Sequence, residues 1–119
     1  MASIFVHLII GPLIILVGYL LKKYPPKKIN YIYGYRTPMS MKNENTWKEG
    51  NEYSMEMMVK MGVLTTIFQV LMHVFFGLET SIMLSSIFLV VGLLLMVILT
   101  EIHLRKKFDK DGNWKDELV

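Results

Sequence analysis

YGYRTPMSMKNENTWKEGN, residues 33–51, is the stretch whose reading decides the fold. It is the one long polar segment set between apolar runs. It gathers an arginine, a tryptophan, two tyrosines and several asparagines around a Gly-Tyr-Arg-Thr-Pro turn. Gly34 permits the backbone of a tight turn, and Thr37, preceding Pro38, is driven to extended geometry. Ser40 carries a good N-cap side chain, so a helix is expected from Met41. Beyond it, Glu44, Lys48, Glu52, Glu56 and Lys60 recur every four residues, and Glu44–Lys48 and Glu56–Lys60 have the favourable acid-first order. That stripe reads as the solvated face of an amphipathic helix. Asn43, Trp47, Asn51 and Ser54 make the neighbouring stripe, which suits the headgroup level or contact with another segment. Gly50 weakens such a helix by about 1 kcal/mol relative to alanine and is a candidate bend.

Upstream, Ile4–Leu21 is 18 residues without a formal charge. At the helical rise it spans about 27 Å, close to the hydrocarbon thickness of a bilayer. A secretory signal is the competing reading. No basic residue precedes the run, no small-residue cleavage site follows it, and Lys22-Lys23 comes directly after. Pro12 inside it is tolerated in a membrane helix, with a kink expected. Pro25-Pro26 then stops the helix. Lys22, Lys23, Lys27 and Lys28 lie within reach of anionic headgroups, each contributing roughly 1 kcal/mol at the surface. Fixing orientation is the simpler role for them.

Downstream, residues 61–78 form a second apolar run and residues 81–100 a third, separated by Glu79-Thr80. Gly62, Thr66, Gln69, His73 and Gly77 share one face of the second run, and Ser85 and Gly92 share one face of the third. Small and polar residues on one face of a membrane helix pack against other helices. The tail, residues 101–119, holds Asp111-Gly112-Asn113, which reads as a turn in a mobile end.

These pieces define one all-α membrane domain over residues 1–119. It has three transmembrane helices (4–21, 61–78, 81–100), a cytoplasmic or interfacial amphipathic helix within the connecting segment 22–60, and a cytoplasmic tail. Composition agrees: 53% of the 119 residues are hydrophobic, concentrated in three blocks. There is no cysteine, which excludes disulfides, thiolate zinc sites and thiol catalysis. The net charge of +3 reads as a topology signal rather than nucleic-acid affinity. Eight Lys and Arg lie between residues 22 and 60 and five lie in the tail. None precedes Ile4 and none lies near Glu79. The positive-inside rule therefore expects the N-terminus outside, the central stretch inside, Glu79 outside and the C-terminus inside.

Tyr33-Gly-Tyr-Arg-Thr-Pro38, followed by Ser40-Met-Lys-Asn43, Thr46-Trp47 and Asn51, resembles the signature of the SdpI family of small bacterial membrane proteins. The resemblance runs from about Gly11 to Leu99. It implies an immunity protein against a secreted sporulation-delaying toxin, one that also acts as a receptor holding a repressor at the membrane. The family's namesake is longer, with an additional membrane region before this domain. Lys48-Glu49-Gly50 also departs from the more apolar, alanine-containing helix expected at that point.

Chemistry-bearing constellations are sparse. No phosphate-binding glycine loop, ordered Ser/His/Asp set or intramembrane carboxylate pair occurs, so no enzyme and no cofactor are expected. His7 and His73 both fall toward the outer end, near Glu79. Interhelical hydrogen bonding is the simpler role for them, and no metal site is assigned. The expected binding residues are Tyr33, Gly34, Tyr35, Arg36, Thr37, Pro38, Ser40, Asn43, Trp47 and Asn51. Arg36, Asn43, Trp47 and Asn51 are expected to form one inner-face cluster. For Arg36, pairing with a phosphate or protein partner stands beside a purely structural role in holding the turn.

Two functions remain. One is a non-enzymatic immunity or signalling bundle, facing membrane lipids, a peptide toxin outside and a regulator inside. The other is a small oligomeric transporter or channel subunit, with Gln69, His73 and Ser85 lining a path. Residues 88–99 are almost wholly bulky and apolar, which favours the first. No nucleic acid is expected as partner, and a homo-oligomer is compatible with either function.

Overall fold

The computed structural model describes residues 2–115, with side chains from His7 onward. It is all helical: α1 (Ala2–Lys23), α2 (Glu44–Phe75) and α3 (Leu78–Lys107). Close approaches of Gly18 to Val59 and of Gly11 to Thr66 set α1 antiparallel to α2. Gly50 beside Leu104 and Gly92 beside Met61 do the same for α2 and α3. Both outer helices therefore pack on α2 in an up-down-up arrangement.

The packing is the reverse of a soluble bundle. Along the apolar lengths the buried positions are small or polar: His7, Gly11, Gly18, Gly62, Thr65, Gln69, Ser81, Ser85, Gly92 and Thr100. Large apolar residues such as Leu64, Ile67, Val90 and Leu94 point outward. Among the described residues, α2 and α3 are long and apolar enough to cross a membrane. Only 17% and 11% of their most apolar windows are buried, so they are not the covered core of a soluble protein. In lipid, helices associate through close backbone approach at small residues rather than by hiding leucines. Gly11, Gly62 and Gly92 serve that purpose: a Cβ on any of them would lie within 2.6 Å of a neighbouring side chain.

The larger buried hydrophobic residues are Tyr35, Trp47, Met55, Leu104 and Phe108, all at one end. That end is a platform built from the 24–43 loop, the first turns of α2, the last turns of α3 and the C-terminal segment. The loop begins where expected, since Pro25-Pro26 follows the last turn of α1.

Five expectations are corrected here. The amphipathic segment and the second apolar run are one continuous 32-residue helix. Gly50 does not bend it, because its missing side chain admits Leu104, Ser40 and Tyr35 at 3.3–3.4 Å from where a Cβ would sit. The helix starts at Glu44 rather than Met41. Asn43 is its cap, in a reciprocal box with Thr46, while the Ser40 hydroxyl is used inside the preceding turn. The α2–α3 connection is Phe76-Gly77, and Glu79-Thr80 lies in the first turn of α3. Finally, the described part of the tail is docked. Phe108 and Trp114 pair as an antiparallel bridge with rings 4.3 Å apart, around the expected Asp111–Asn113 turn. Asn43 Nδ2 donates to the Gly112 carbonyl at 2.8 Å, and the Lys42 ammonium donates to the Lys110 carbonyl.

Gly34 has φ +106°, in the region that side-chain-bearing residues resist. A Cβ there would sit 2.7 Å from Asn51 Oδ1 and 2.8 Å from Pro26 Cγ. Gly34→Val is therefore expected to cost more than about 1–3 kcal/mol, from backbone strain with a clash added. Thermal unfolding of the purified variant in detergent checks this, and an unchanged Tm contradicts it.

Candidate functional site: a signature loop locked onto the helical platform

Asn51 sits at the centre of the platform, 2% exposed. Its Oδ1 accepts from the Tyr35 backbone N–H at 2.7 Å. Its Nδ2 donates to the Tyr35 carbonyl at 3.3 Å and to the Trp47 carbonyl, one helical turn earlier, at 2.9 Å. One side-chain amide thus satisfies both backbone groups of a loop residue, as a neighbouring strand would. The positive φ of Gly34 delivers Tyr35 in that orientation. Trp47, 1% exposed, donates its indole N–H to the Pro26 carbonyl at 2.6 Å and holds the other limb of the loop.

The turn beyond is self-contained. The Thr37 N–H donates to Ser40 Oγ at 2.8 Å, and the Ser40 N–H donates to Thr37 Oγ1 at 3.2 Å. The Ser40 hydroxyl reaches the Tyr35 and Thr37 carbonyls, both at 3.1 Å. Thr46 Oγ1 donates to the Ser40 carbonyl and so ties this turn to α2. Pro38 lies exposed at the corner.

Tyr35 also reaches α3. Its hydroxyl donates to Glu101 Oε1 at 2.7 Å. Burial, reinforced by the Glu101 carboxylate, holds this phenol well above the usual tyrosine range, so it remains a donor. A second bridge joins α2 to α3. Glu49 Oε1 receives His103 Nε2 at 2.9 Å and Lys107 Nζ at 2.8 Å, with His103 stacked on Tyr53 at 4.1 Å. Burial raises the Glu49 carboxyl, but hydrogen bonds and charge from Lys107 and His103 outweigh it and leave it below the usual carboxylate range.

Of the ten expected residues, Gly34, Tyr35, Thr37, Ser40, Asn43, Trp47 and Asn51 come together in this hydrogen-bonded core. Tyr33 and Arg36 do not. Tyr33 is exposed, with its backbone N–H on Asn30 Oδ1 at 2.9 Å. Arg36 is exposed, and its guanidinium donates to the Tyr31 carbonyl, which closes the loop on itself rather than on α2. Tyr35 joins the loop to α2 through Asn51, and Ser40 joins it through Thr46. Glu101, Glu49 and His103 were missed because their partners lie more than fifty residues away and no local spacing connects them.

Beside the core, a cleft of 800 Å³ lies between Met39 and Phe108, with Lys42, Arg105, Lys110 and Lys115 on its walls. Glu101 and Asp109 also line it. Among the described residues, no group of three His, Cys, Asp or Glu side chains is arranged to hold a metal. His7 is instead engaged with Ser81 Oγ at 2.8 Å.

The fold and site define a helical membrane protein whose polar signature loop is folded into a rigid end-platform. Residues 27–102 match the model of the SdpI/YfhL protein family, and the chain belongs to that family. A relative, the uncharacterized protein YfhL of Bacillus subtilis (strain 168), is 46% identical over 54 residues, 45% of this chain and 49% of that one. The match therefore spans about half the length of the relative. No solved structure matches the chain significantly.

Trp47→Ala is expected to cost about 3–5 kcal/mol, since it empties a buried site and orphans the Pro26 carbonyl. Arg36→Lys, at an exposed position, is expected to stay within about 0.5 kcal/mol. Thermal unfolding of both in the same detergent checks the pair, and equal losses contradict the placement of Arg36 outside the core.

Proposed function

We propose that the chain is an integral membrane immunity and signalling protein of the SdpI type. It spans the bilayer three times, with its N-terminus outside and its platform in the cytoplasm. It protects the cell against a secreted membrane-active peptide and presents the platform to a cytoplasmic regulator. One observation carries the reading: the family signature is spent on internal bonds that build a fixed surface, rather than on a reactive constellation. The cleft beside it has four cationic side chains, suited to an acidic face on a protein partner. The Lys and Arg distribution, with Lys22, Lys23 and the platform at one end of the bundle, supports the orientation. Exposed Tyr19, Tyr24, Tyr31 and Tyr33 suit the headgroup level at that end.

A small oligomeric transporter or channel subunit is the second reading, supported by the polar residues Gln69 and Ser85 buried among the helices. It is the weaker one. Thr65 extends the buried polar positions one turn toward the platform, but beyond it bulky side chains close the interior: Phe68 and Phe88 stack at 4.3 Å, and Met61 fills the space over Gly92.

Because the chain has no cysteine, single-cysteine variants at Lys42 and Glu79 report orientation directly. An impermeant thiol reagent on intact cells is expected to label position 79 and not 42, and the reverse contradicts the topology. Sensitive bacteria expressing the chain are expected to survive a sporulation-delaying peptide that kills controls. Arg105→Glu with Lys110→Glu is expected to keep that protection and abolish regulator recruitment. Killing of cells that carry abundant, inserted protein contradicts the immunity reading.

A further inference from the structure

At the end of the bundle away from the platform, the described residues of the three helices leave a space between them. A cavity of 390 Å³ lies where His7 and Ile10 of α1, Gln69 of α2, and Ile82, Ser85, Ser86 and Leu89 of α3 meet. Its size is that of a small-molecule site. No Asp, Glu, Lys or Arg lines it. Its floor is polar and unsatisfied. Gln69 and Ser85 are each 2% exposed, yet Gln69 Oε1 and Ser85 Oγ have no hydrogen-bond partner among the described residues. His7 does not fill the need, because its Nε2 is taken by Ser81 Oγ at 2.8 Å. At the rim Ile82 and Ser86 are exposed on α3, so the opening is neutral and partly apolar.

A buried amide without a partner is costly in any protein, more so where no water reaches it. Two such groups lining one cavity, behind a neutral rim that carries an exposed isoleucine, are the complement of a particular molecule. Its head must supply an O–H or N–H to Gln69 Oε1 and exchange a hydrogen bond with Ser85 Oγ. It must be neutral, since nothing in the lining compensates a charge. Its remainder must be apolar, since it leaves past Ile82 toward lipid.

We propose that this cavity binds a neutral hydroxyl- or amide-headed amphiphile that enters sideways from the bilayer. The site goes beyond the immunity reading and rests only on the bundle lying in a membrane. Gln69 orients the head and Ser85 completes its hydrogen bonds. The cost of leaving Gln69 unpaired in the empty protein is part of the selectivity, because only a donor-bearing head relieves it.

The test uses the full chain in phosphatidylcholine nanodiscs, with a monoacylglycerol carrying a photoreactive diazirine in its acyl chain. Labelling is expected on peptides containing Ile10 or Leu89. Monoolein is expected to compete it, and methyl oleate, which has the same chain and no donor, to compete about tenfold more weakly. Gln69→Leu and Ser85→Ala are each expected to weaken labelling about tenfold. Gln69→Leu is also expected to leave the Tm of the empty protein unchanged or raise it, because it removes an unpaired buried polar group. Equal competition by methyl oleate overturns the proposal, as does undiminished labelling of both variants. Absence of labelling means a cavity that holds only water, and displacement by the peptide toxin but not by monoolein means a peptide site; either overturns it. A lowered Tm for Gln69→Leu marks the amide as structural and does the same. Cell survival under toxin is a separate readout, so failure here leaves the immunity reading standing.

Discussion

The Asn51 side chain, bonded to both the N–H and the C=O of Tyr35, is the contact on which the rest of the platform depends. A loop carries unpaired backbone groups, and burying them unsatisfied costs about 1–3 kcal/mol each. One amide on α2 removes that cost for Tyr35 and so allows its ring to go inside. Once there, the phenol reaches Glu101 on α3, and the loop becomes the tie between helices that Phe76-Gly77 joins only at the far end. Gly34 and Trp47 follow from the same requirement. The first supplies the backbone turn, and the second holds the Pro26 limb so that the loop cannot swing away.

The two halves of the molecule rest on different physics. The platform has an ordinary apolar core of tyrosine, tryptophan, leucine and phenylalanine, with Glu49 bridging His103 and Lys107 at its edge. The remaining lengths of α1, α2 and α3 bury glycine, serine and threonine and show leucine, isoleucine and valine to the outside. In water that arrangement would expose an apolar surface far larger than a soluble monomer carries. In a bilayer it costs nothing, and cohesion comes from backbone proximity at Gly11, Gly62 and Gly92. The platform then gives register to a bundle whose own contacts are few and small.

Much of this was legible in the sequence, for reasons that can be named. Apolar blocks of bilayer length identified the helices, and Pro25-Pro26 marked the end of α1. Four-residue periodicity put Glu44, Lys48, Glu52, Glu56 and Lys60 on a solvated face, and all are exposed; it gave Asn43, Trp47, Asn51 and Ser54 a contact-making stripe, of which the last three are buried. The turn demanded glycine at position 34, and its φ is positive. Local pattern misled where a side chain had more than one local use. Ser40 suits an N-cap, but so does Asn43, and the reciprocal box with Thr46 decided between them. Gly50 read as a weak point because periodicity does not reveal the Leu104 side chain that fills the space beside it. Arg36 invited a central role by its charge, yet the backbone N–H and C=O of its neighbour Tyr35 do the joining. The docked tail and the Glu49–His103 bridge are contacts between distant segments, and no spacing rule reaches them.

Amide hydrogen exchange at Tyr35, with the full chain in nanodiscs, tests most directly that one side-chain amide holds the signature loop. Tyr35 lies outside any helix or strand, so an unrestrained loop there would exchange as freely as exposed Tyr31. If Asn51 governs the platform, the Tyr35 N–H exchanges as slowly as the amides of α2 around Trp47, and Asn51→Ala brings it to the rate of Tyr31 while the amides of α2 beyond Gly62 stay protected. Fast exchange at Tyr35 in the unmodified protein, or protection that survives Asn51→Ala, would contradict the central role given to this contact.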